Sequence, residues 1–329
     1  MTLLVLNKAE VESLLDLDEL VEAVARAMAD LSAGNASMPN RIAALVPEHD
    51  AFLAAMPAYL PSSRALATKL VSLFPSNRDR PTHQAVVVCF DPDTGTPVAL
   101  MDAESITAAR TAAGSALSAK LLAREDTRVL AILGTGVQAR AHARAVVRVR
   151  PVERVLIAGR DTEKARALAS DLAQELALPV EAVPTFEQAV RGADLVCATT
   201  HTTEPVVRRA WVSPGTHITS VGFNAAGRGE VDPETVHASV VVVEHRASAL
   251  APPPSGAVEL LLPIADGLFD AGHIRAELGE LVAGTATGRT TPQEITLYKS
   301  VGVAVQDAAA ASMVLSGART RGIGTDVTI

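Results

Sequence analysis

Apolar and polar positions along this chain change period twice. From Leu17 to Leu31 the residues Leu20, Val21, Val24, Met28 and Leu31 recur at three- and four-residue intervals, one helical stripe, and Gly34 follows as a stop. The period then shortens. Segments 41–46, 52–57, 65–73, 85–91 and 97–102 are apolar runs of strand length. Asp91-Pro92-Asp93-Thr94-Gly95 carries the residues of a hairpin turn. The first hundred residues therefore predict a helix and a mostly antiparallel sheet. Segment 104–123 is rich in alanine and small residues and predicts a long, closely packed helix.

From residue 128 the two periods alternate. Runs at 128–133, 154–158, 180–183, 195–199, 217–221 and 240–243 predict strands, and segments 137–149 and 163–176 predict helices. Alternation of this kind implies a parallel sheet covered by helices on both faces. A last helix is expected over about 294–315. The pattern predicts the α/β class: a Rossmann-type, doubly wound parallel sheet domain over 121–304 and a smaller α+β domain over 1–120. The final helix, about 305–329, is read as able to return to the smaller domain.

A chain of 329 residues suits two cores better than one, and 48% apolar with 20% charged residues is a folding composition. A net charge of −8 and only 3% aromatic residues argue against nucleic acid as a partner. Cys89 and Cys197 sit in apolar runs and read as small buried hydrophobes, which suits a reducing cytoplasm. The run Leu3 to Leu6 has neither a basic segment before it nor a small-residue cleavage site after it, so no leader is expected. No apolar stretch reaches the ~18 residues of a membrane helix. A cytoplasmic protein with no membrane partner is the expectation.

The strongest local motif is Leu133-Gly134-Thr135-Gly136-Val137-Gln138-Ala139, a G-x-G-x-x-A directly after an apolar run and before a helix. Gly134 permits a tight turn, Gly136 lets backbone approach a pyrophosphate, and Ala139 lets helix and strand pack closely. The helix N-terminus offers free N–H groups to the phosphates. Twenty-four positions past Gly136, where NAD sites usually carry an acid, stands Arg160. An arginine there can pair with a 2′-phosphate, so NADP(H) is favoured, with NAD(H) as the alternative. The plainer reading is a solvated Arg160, with Asp161 capping the next helix. Thr199 and Val221, each ending an apolar run, complete the cofactor candidates read along this half.

Three cations stand in otherwise apolar settings. Lys69 lies inside a strand run, as an edge-strand charge or as a group facing a cleft. Arg110 interrupts the small-residue helix, and Arg41 opens a strand run. Together they could bind a carboxylate, each charge-assisted bond contributing about 1.5–3 kcal/mol. The eight histidines show no zinc spacing, and neither a nucleophile elbow nor a Walker lysine is present, so no metal is expected and hydrolase or phosphotransfer readings have no motif.

These residues carry a resemblance. Met101-Asp102, Ile106-Thr107-Ala108-Ala109-Arg110-Thr111-Ala112-Ala113 and the glycine loop, with Met56-Pro57-Ala58-Tyr59, Lys69-Leu70-Val71, His83-Gln84-Ala85, Glu204-Pro205-Val206, Trp211 to His217, Ala276 to Glu280 and Lys299-Ser300-Val301-Gly302-Val303-Ala304, resemble the ornithine cyclodeaminase/mu-crystallin family in order over nearly the whole chain. Met56 to Tyr59 and Thr68 to Val71 are most similar to its mu-crystallin, ketimine-reducing branch. The resemblance implies a homodimer in which the first domain supplies the interface and part of the substrate pocket and the second binds a nicotinamide cofactor. It implies that Arg41, Lys69 and Arg110 hold a substrate carboxylate, that Thr111 lies beside the cofactor phosphates, and that Ser300, Val301 and Gly302 lie near the nicotinamide.

Two departures bear on the subclass. Members that cyclise ornithine carry an acid where this chain has Asn224, and a glutamate where it has Ala54. Without those carboxylates a second substrate ammonium would lack its counter-charge. The implied activity is NAD(P)H-dependent reduction of a small cyclic ketimine beside a carboxylate, of the pyrroline- or piperideine-2-carboxylate type. Lys69 would be the proton source and Asn224 would orient the nitrogen or a water. Ornithine cyclodeaminase, an alanine-type dehydrogenase and an NADPH-linked ligand-binding protein are the alternatives.

Overall fold

The structure, a computed structural model, describes residues 2–222, 227–253 and 255–329. The chain divides into two compact units, Met1–Arg110 with Val303–Ile329, and Thr111–Gly302. In chain order the strands are β1 (Thr2–Leu6), β2 (Ile42–Val46), β3 (Ala51–Leu60), β4 (Ala65–Leu73), β5 (His83–Phe90), β6 (Pro97–Asp102), β7 (Val129–Leu133) and β8 (Arg154–Ala158). They continue as β9 (Val180–Ala182), β10 (Leu195–Ala198), β11 (His217–Ser220), β12 (Ser239–Val243), β13 (Ile274–Glu277), β14 (Ile295–Lys299) and β15 (Thr325–Thr328). The longer helices are α1 (Lys8–Leu14), α2 (Leu17–Ser32), α3 (Glu104–Leu122), α4 (Val137–Val146) and α5 (Thr162–Leu176). Shorter ones follow as α6 (Phe186–Arg191), α7 (Pro233–His237), α8 (Arg246–Ala249), α9 (Val258–Ala265) and α10 (Leu278–Val282), before the long α11 (Ala304–Arg321).

The first unit is built on a seven-stranded sheet in the order β15-β1-β6-β5-β4-β3-β2. Neighbours run antiparallel except β1 and β6, which are parallel. Alternation selects one face for burial. Ala54, Met56, Ala58 and Leu60 of β3 and Ala65, Ala67, Lys69 and Val71 of β4 are all buried. Lys69 stands opposite Met56 on one side and Val87 on the other. It therefore belongs to an interior strand, and the edge-strand reading falls. α2 begins where Asp16 accepts from the N–H groups of Asp18 and Glu19, and its predicted stripe is buried. α11 packs on α2 and on β3, β4 and β5. Its first eight residues, Ala304 to Ala311, are all buried.

The last predicted helix needs correction. Its first residues form strand β14, which pairs with β12 on one side and β11 on the other, and every residue of it is buried. A strand covered on both faces shows no alternation, so period alone does not separate it from a helix. Gly302, at φ +75°, ends the extended stretch, and α11 starts at Ala304.

The second unit is an eight-stranded, all-parallel sheet in the order β13-β12-β14-β11-β10-β7-β8-β9. Alternate residues go to opposite faces: Leu130, Ile132, Leu195 and Cys197 join one core, and Ala131, Leu133, Val196 and Ala198 the other. Winding proceeds from β7 outward through β8 to β9, then resumes at β10 on the other side of β7. The strand order thus reverses between β7 and β10, and the crevice at the carboxyl ends of such strands is where open α/β sheets bind ligands. The glycine loop lies there. Both cysteines are buried and unpaired, and burial pushes each thiol up to about 12. Among the described residues no helix is long and apolar enough to cross a membrane.

Candidate functional site

The glycine loop explains its own composition. Gly134 has φ +123°, and a Cβ there would lie 2.8 Å from both the carbonyl and the hydroxyl oxygen of Thr199. Its N–H donates to the Ala158 carbonyl at 2.8 Å, and the Thr199 hydroxyl donates to the Leu133 carbonyl at 2.9 Å. Gly134 and Thr199 therefore lock the carboxyl ends of β7, β8 and β10 together. Gly136 differs. It precedes α4 with no side-chain cap, and a Cβ on it would meet open space. Nothing among the described residues requires glycine there, so the close approach that its bare backbone allows suits something outside the chain. The Gln138 Oε1 is buried with no hydrogen-bond partner among the described residues, and Ala139 is fully buried. An uncapped helix start and an open glycine fit the phosphates of a dinucleotide.

Around this loop, Thr135 packs on Gly159, where a Cβ would come within 2.6 Å of its methyl carbon. Arg160 follows, exposed. Asp161 accepts from the Lys164 N–H and so caps α5. The Val221 N–H donates to the Ala198 carbonyl, holding the end of β11 against β10. Thr111 is buried in α3.

Three buried carboxylates unforeseen in the sequence sit at the carboxyl ends of the neighbouring strands. Glu244, directly after β12, accepts from the Ser300 hydroxyl and from the N–H groups of Val301 and Gly302, each at 2.9 Å. Glu230 accepts from the Thr200 N–H and hydroxyl, the Ser220 hydroxyl and the Gly222 N–H. Glu259, on α9, accepts from the Glu230 N–H and from Lys299 Nζ, both at 3.0 Å. Lys299 also donates to the Gly222 carbonyl at 2.9 Å. A Cβ on Gly222 would stand 2.4 Å from the Glu230 carboxyl carbon, so the glycine admits the carboxylate. Asn224 lies outside the described residues.

In the first unit the structure brings Lys69 and Arg110 together on a residue the sequence reading missed. Asp307, on α11, accepts on Oδ1 from Lys69 Nζ and from Arg110 Nε, each at 3.0 Å, and its Oδ2 lies in ion-pair contact with Lys69 Nζ at 2.9 Å. Gln306 accepts from Arg110 Nη1 at 3.1 Å. Lys69 is 3% exposed and Asp307 2%. Burial pushes the Lys69 ammonium down, with Arg110 and Arg41 adding to this and Asp307 opposing, to about 8. Burial alone would push the Asp307 carboxyl up, but Arg110 and Lys69 outweigh it and hold it below the usual range. Arg41, half-buried just before β2, is near enough to act on the charge of Lys69. His83 is held below its ordinary value first by burial, then by Lys69 and Arg110. Two buried cations share one buried anion, and one positive charge remains.

Asp307 left little trace in the sequence because an acid in the first turn of an alanine-rich helix is commonplace. Its signal was its setting: with Gln306 it interrupts a run of small residues that are buried all round. The carboxylates at 230, 244 and 259 gave none, being scattered over two loops and the start of α9. Among the described residues no group of three histidine, cysteine or acidic side chains could hold a metal ion.

Comparison with known proteins agrees with this architecture. The solved structure of Thermococcus litoralis Δ1-pyrroline-2-carboxylate reductase, in complex with NADH and L-proline, matches with a TM-score of 0.94 at 39% identity, covering 99% of this chain and 100% of that one. An archaeal alanine dehydrogenase dimer with bound NAD matches with a TM-score of 0.92 at 31% identity over 100% of both chains. The ketimine reductase mu-crystallin of Mus musculus is 38% identical over 283 residues, 85% of either chain. With the family model matched over residues 1–321, the chain belongs to the ornithine cyclodeaminase/mu-crystallin family.

Proposed function

We propose that this chain is an NAD(P)H-dependent reductase of small cyclic ketimines bearing a carboxylate beside the C=N bond, of the pyrroline- or piperideine-2-carboxylate type, giving the cyclic amino acid. The observation that carries this reading is the buried Lys69–Asp307–Arg110 cluster, which keeps one uncompensated positive charge on an otherwise apolar sheet face. A substrate carboxylate would neutralise it. The likeness to a pyrroline carboxylate reductase and to a ketimine reductase supports the same substrate class.

The roles follow from the chemistry of each side chain. Arg110 stays charged at any working pH and clamps the carboxylate, with Arg41 assisting. When bound, the nicotinamide cofactor supplies the hydride that adds to the imine carbon. The nitrogen must gain a proton as the C=N bond becomes CH–NH. Lys69, a buried ammonium lowered to about 8, gives up that proton and is reprotonated from solvent. Asn224 has no ionisable proton and orients the nitrogen or a water. Gly134, Thr135, Gly136, Val137, Gln138 and Ala139 hold the pyrophosphate, with Thr111, Thr199, Val221, Ser300 and Gly302 completing the cofactor contacts.

Arg160 favours NADP(H), because no acid beyond the capping Asp161 stands at the end of β8. Two relatives bind NADH or NAD, so the preference is open to direct test. NADPH should bind more tightly than NADH, Arg160→Asp should reverse the order, and equal wild-type dissociation constants would sink the assignment. A cytoplasmic homodimer completes the reading. The sheet face opposite Lys69 exposes Ile42 (71%), Leu53 (49%) and Val86 (38%), apolar surface that a second copy would cover, and light scattering should give twice the chain mass.

The deciding experiment follows absorbance at 340 nm with NADPH and NADH against cyclic imino acids, pyruvate with ammonia, and ornithine. Cyclic imines should be consumed fastest by at least tenfold. Faster amination of pyruvate, or ammonia release from ornithine, would overturn the proposal.

A further inference from the structure

We propose that Asp307 is a positioning residue for the reduction: it holds the Lys69 ammonium in its protonated form and at a fixed distance from Arg110, so that one group can donate a proton while the other holds the carboxylate. The inference rests on the reading of Lys69 as proton source and deepens it. Its geometry is specific. The Lys69 ammonium has three N–H groups; one donates to Asp307 Oδ1 at 3.0 Å, with Oδ2 of the same carboxylate in ion-pair contact at 2.9 Å, and a substrate atom would take another. The same Oδ1 receives Arg110 Nε at 3.0 Å, so one atom spaces the two cations. Gln306, one residue earlier, takes Arg110 Nη1 at 3.1 Å and sets the plane of the guanidinium. α11 thus presents two consecutive side chains, Asp307 to both cations and Gln306 to Arg110.

Without Asp307, every other influence on Lys69 disfavours its charge. β4 buries it on an apolar face, Arg110 repels it from α3, Arg41 repels it from the segment before β2, and His83, when protonated, repels it from β5. A buried lysine so placed discards its proton. A neutral Lys69 cannot supply the imine nitrogen. Asp307 is the one partner among the described charged neighbours that favours the ammonium. It cannot simply replace the substrate carboxylate, because one anion between two cations leaves room for a second.

Asp307→Asn tests this, with a readout besides activity. The chain has five lysines, Lys8, Lys69, Lys120, Lys164 and Lys299, so [13Cε]lysine NMR of the full-length protein resolves few signals, and the one absent from Lys69→Arg is that of Lys69. In the wild type this signal should titrate near pH 8. In Asp307→Asn it should titrate at least one unit lower, and Asp307→Glu should restore most of the difference. In parallel, the alkaline limb of kcat/KM for reduction of 1-pyrroline-2-carboxylate should move to lower pH by the same amount. The deficit of Asp307→Asn should be about eightfold or more at pH 8.5 and shrink at pH 6.5. An unmoved Lys69 titration, or an activity loss equal at every pH, would overturn the proposal and leave Asp307 a structural residue. A Lys69 titration that moves as stated, in a protein that reduces no cyclic imine, would uphold the coupling of Asp307 to Lys69 and overturn the proposed function instead.

Discussion

The two units each bury a cluster of charges, and the clusters are opposites. In the first, Lys69 and Arg110 share Asp307, and one positive charge remains. In the second, Glu230 and Glu259 face a single lysine, Lys299, and the surplus is negative. The negative surplus is consumed internally. Glu230 accepts from four donors, two of them backbone N–H groups, on the end of β11 and the loops it fastens. Glu244 likewise spends both oxygens on the segment from Ser300 to Gly302. In the first unit Lys69 and Arg110 donate instead to side chains, those of Asp307 and Gln306. Buried charge alone therefore does not mark a ligand site. The mark is charge that the chain's own groups leave uncompensated.

The sharpest break in the comparison is one substitution made in each cluster. Lys69→Met removes a cation from the cluster that has one too many. Imine reduction should fall by about 10²–10⁴-fold, the usual weight of a general acid, while the melting temperature stays level or rises, since Arg110 and Asp307 remain a balanced pair. Lys299→Met does the reverse. It leaves two buried carboxylates without a cation and should destabilise the protein by about 3–5 kcal/mol in urea unfolding. If Lys69→Met is as destabilising as Lys299→Met, the two clusters are alike and the contrast fails. A smaller effect sharpens it further. Glu230→Gln replaces one accepting oxygen with a donor, stranding a buried N–H or O–H at about 1–3 kcal/mol. The titration of Lys69, in the other unit, should not move, as NMR would show.

How much of this was legible in the sequence depends on the length scale of each signal. The stripe from Leu20 to Leu31 and the loop from Gly134 to Ala139 were readable because their logic is local: a period of 3.6, and a turn that admits glycine alone. Lys69 and Arg110 were readable as anomalies, charges in apolar surroundings. Their meeting point was not, because Asp307 lies 238 residues from one and 197 from the other, and only the packing of α11 on β4 joins them. β14 was misread for a related reason. As an interior strand between β11 and β12 it is buried on both faces, which erases the alternation by which a strand announces itself. The glutamates at 230, 244 and 259 were invisible because their work is to fasten backbone, which has no side-chain pattern to betray it.

The division of the chain inside α3 bears on how the molecule is made. The first unit is interrupted: its residues up to Arg110 are synthesised before the whole of the second unit, and its remainder, from Val303, after it. The second unit is continuous and can close on itself once Gly302 has emerged. Until α11 follows, the apolar face of β3 and β4 has no helix 304–321 over it, and Lys69 has no anion to meet. A nascent chain would therefore carry an unfinished sheet with a lone cation on its apolar face across nearly two hundred residues of synthesis.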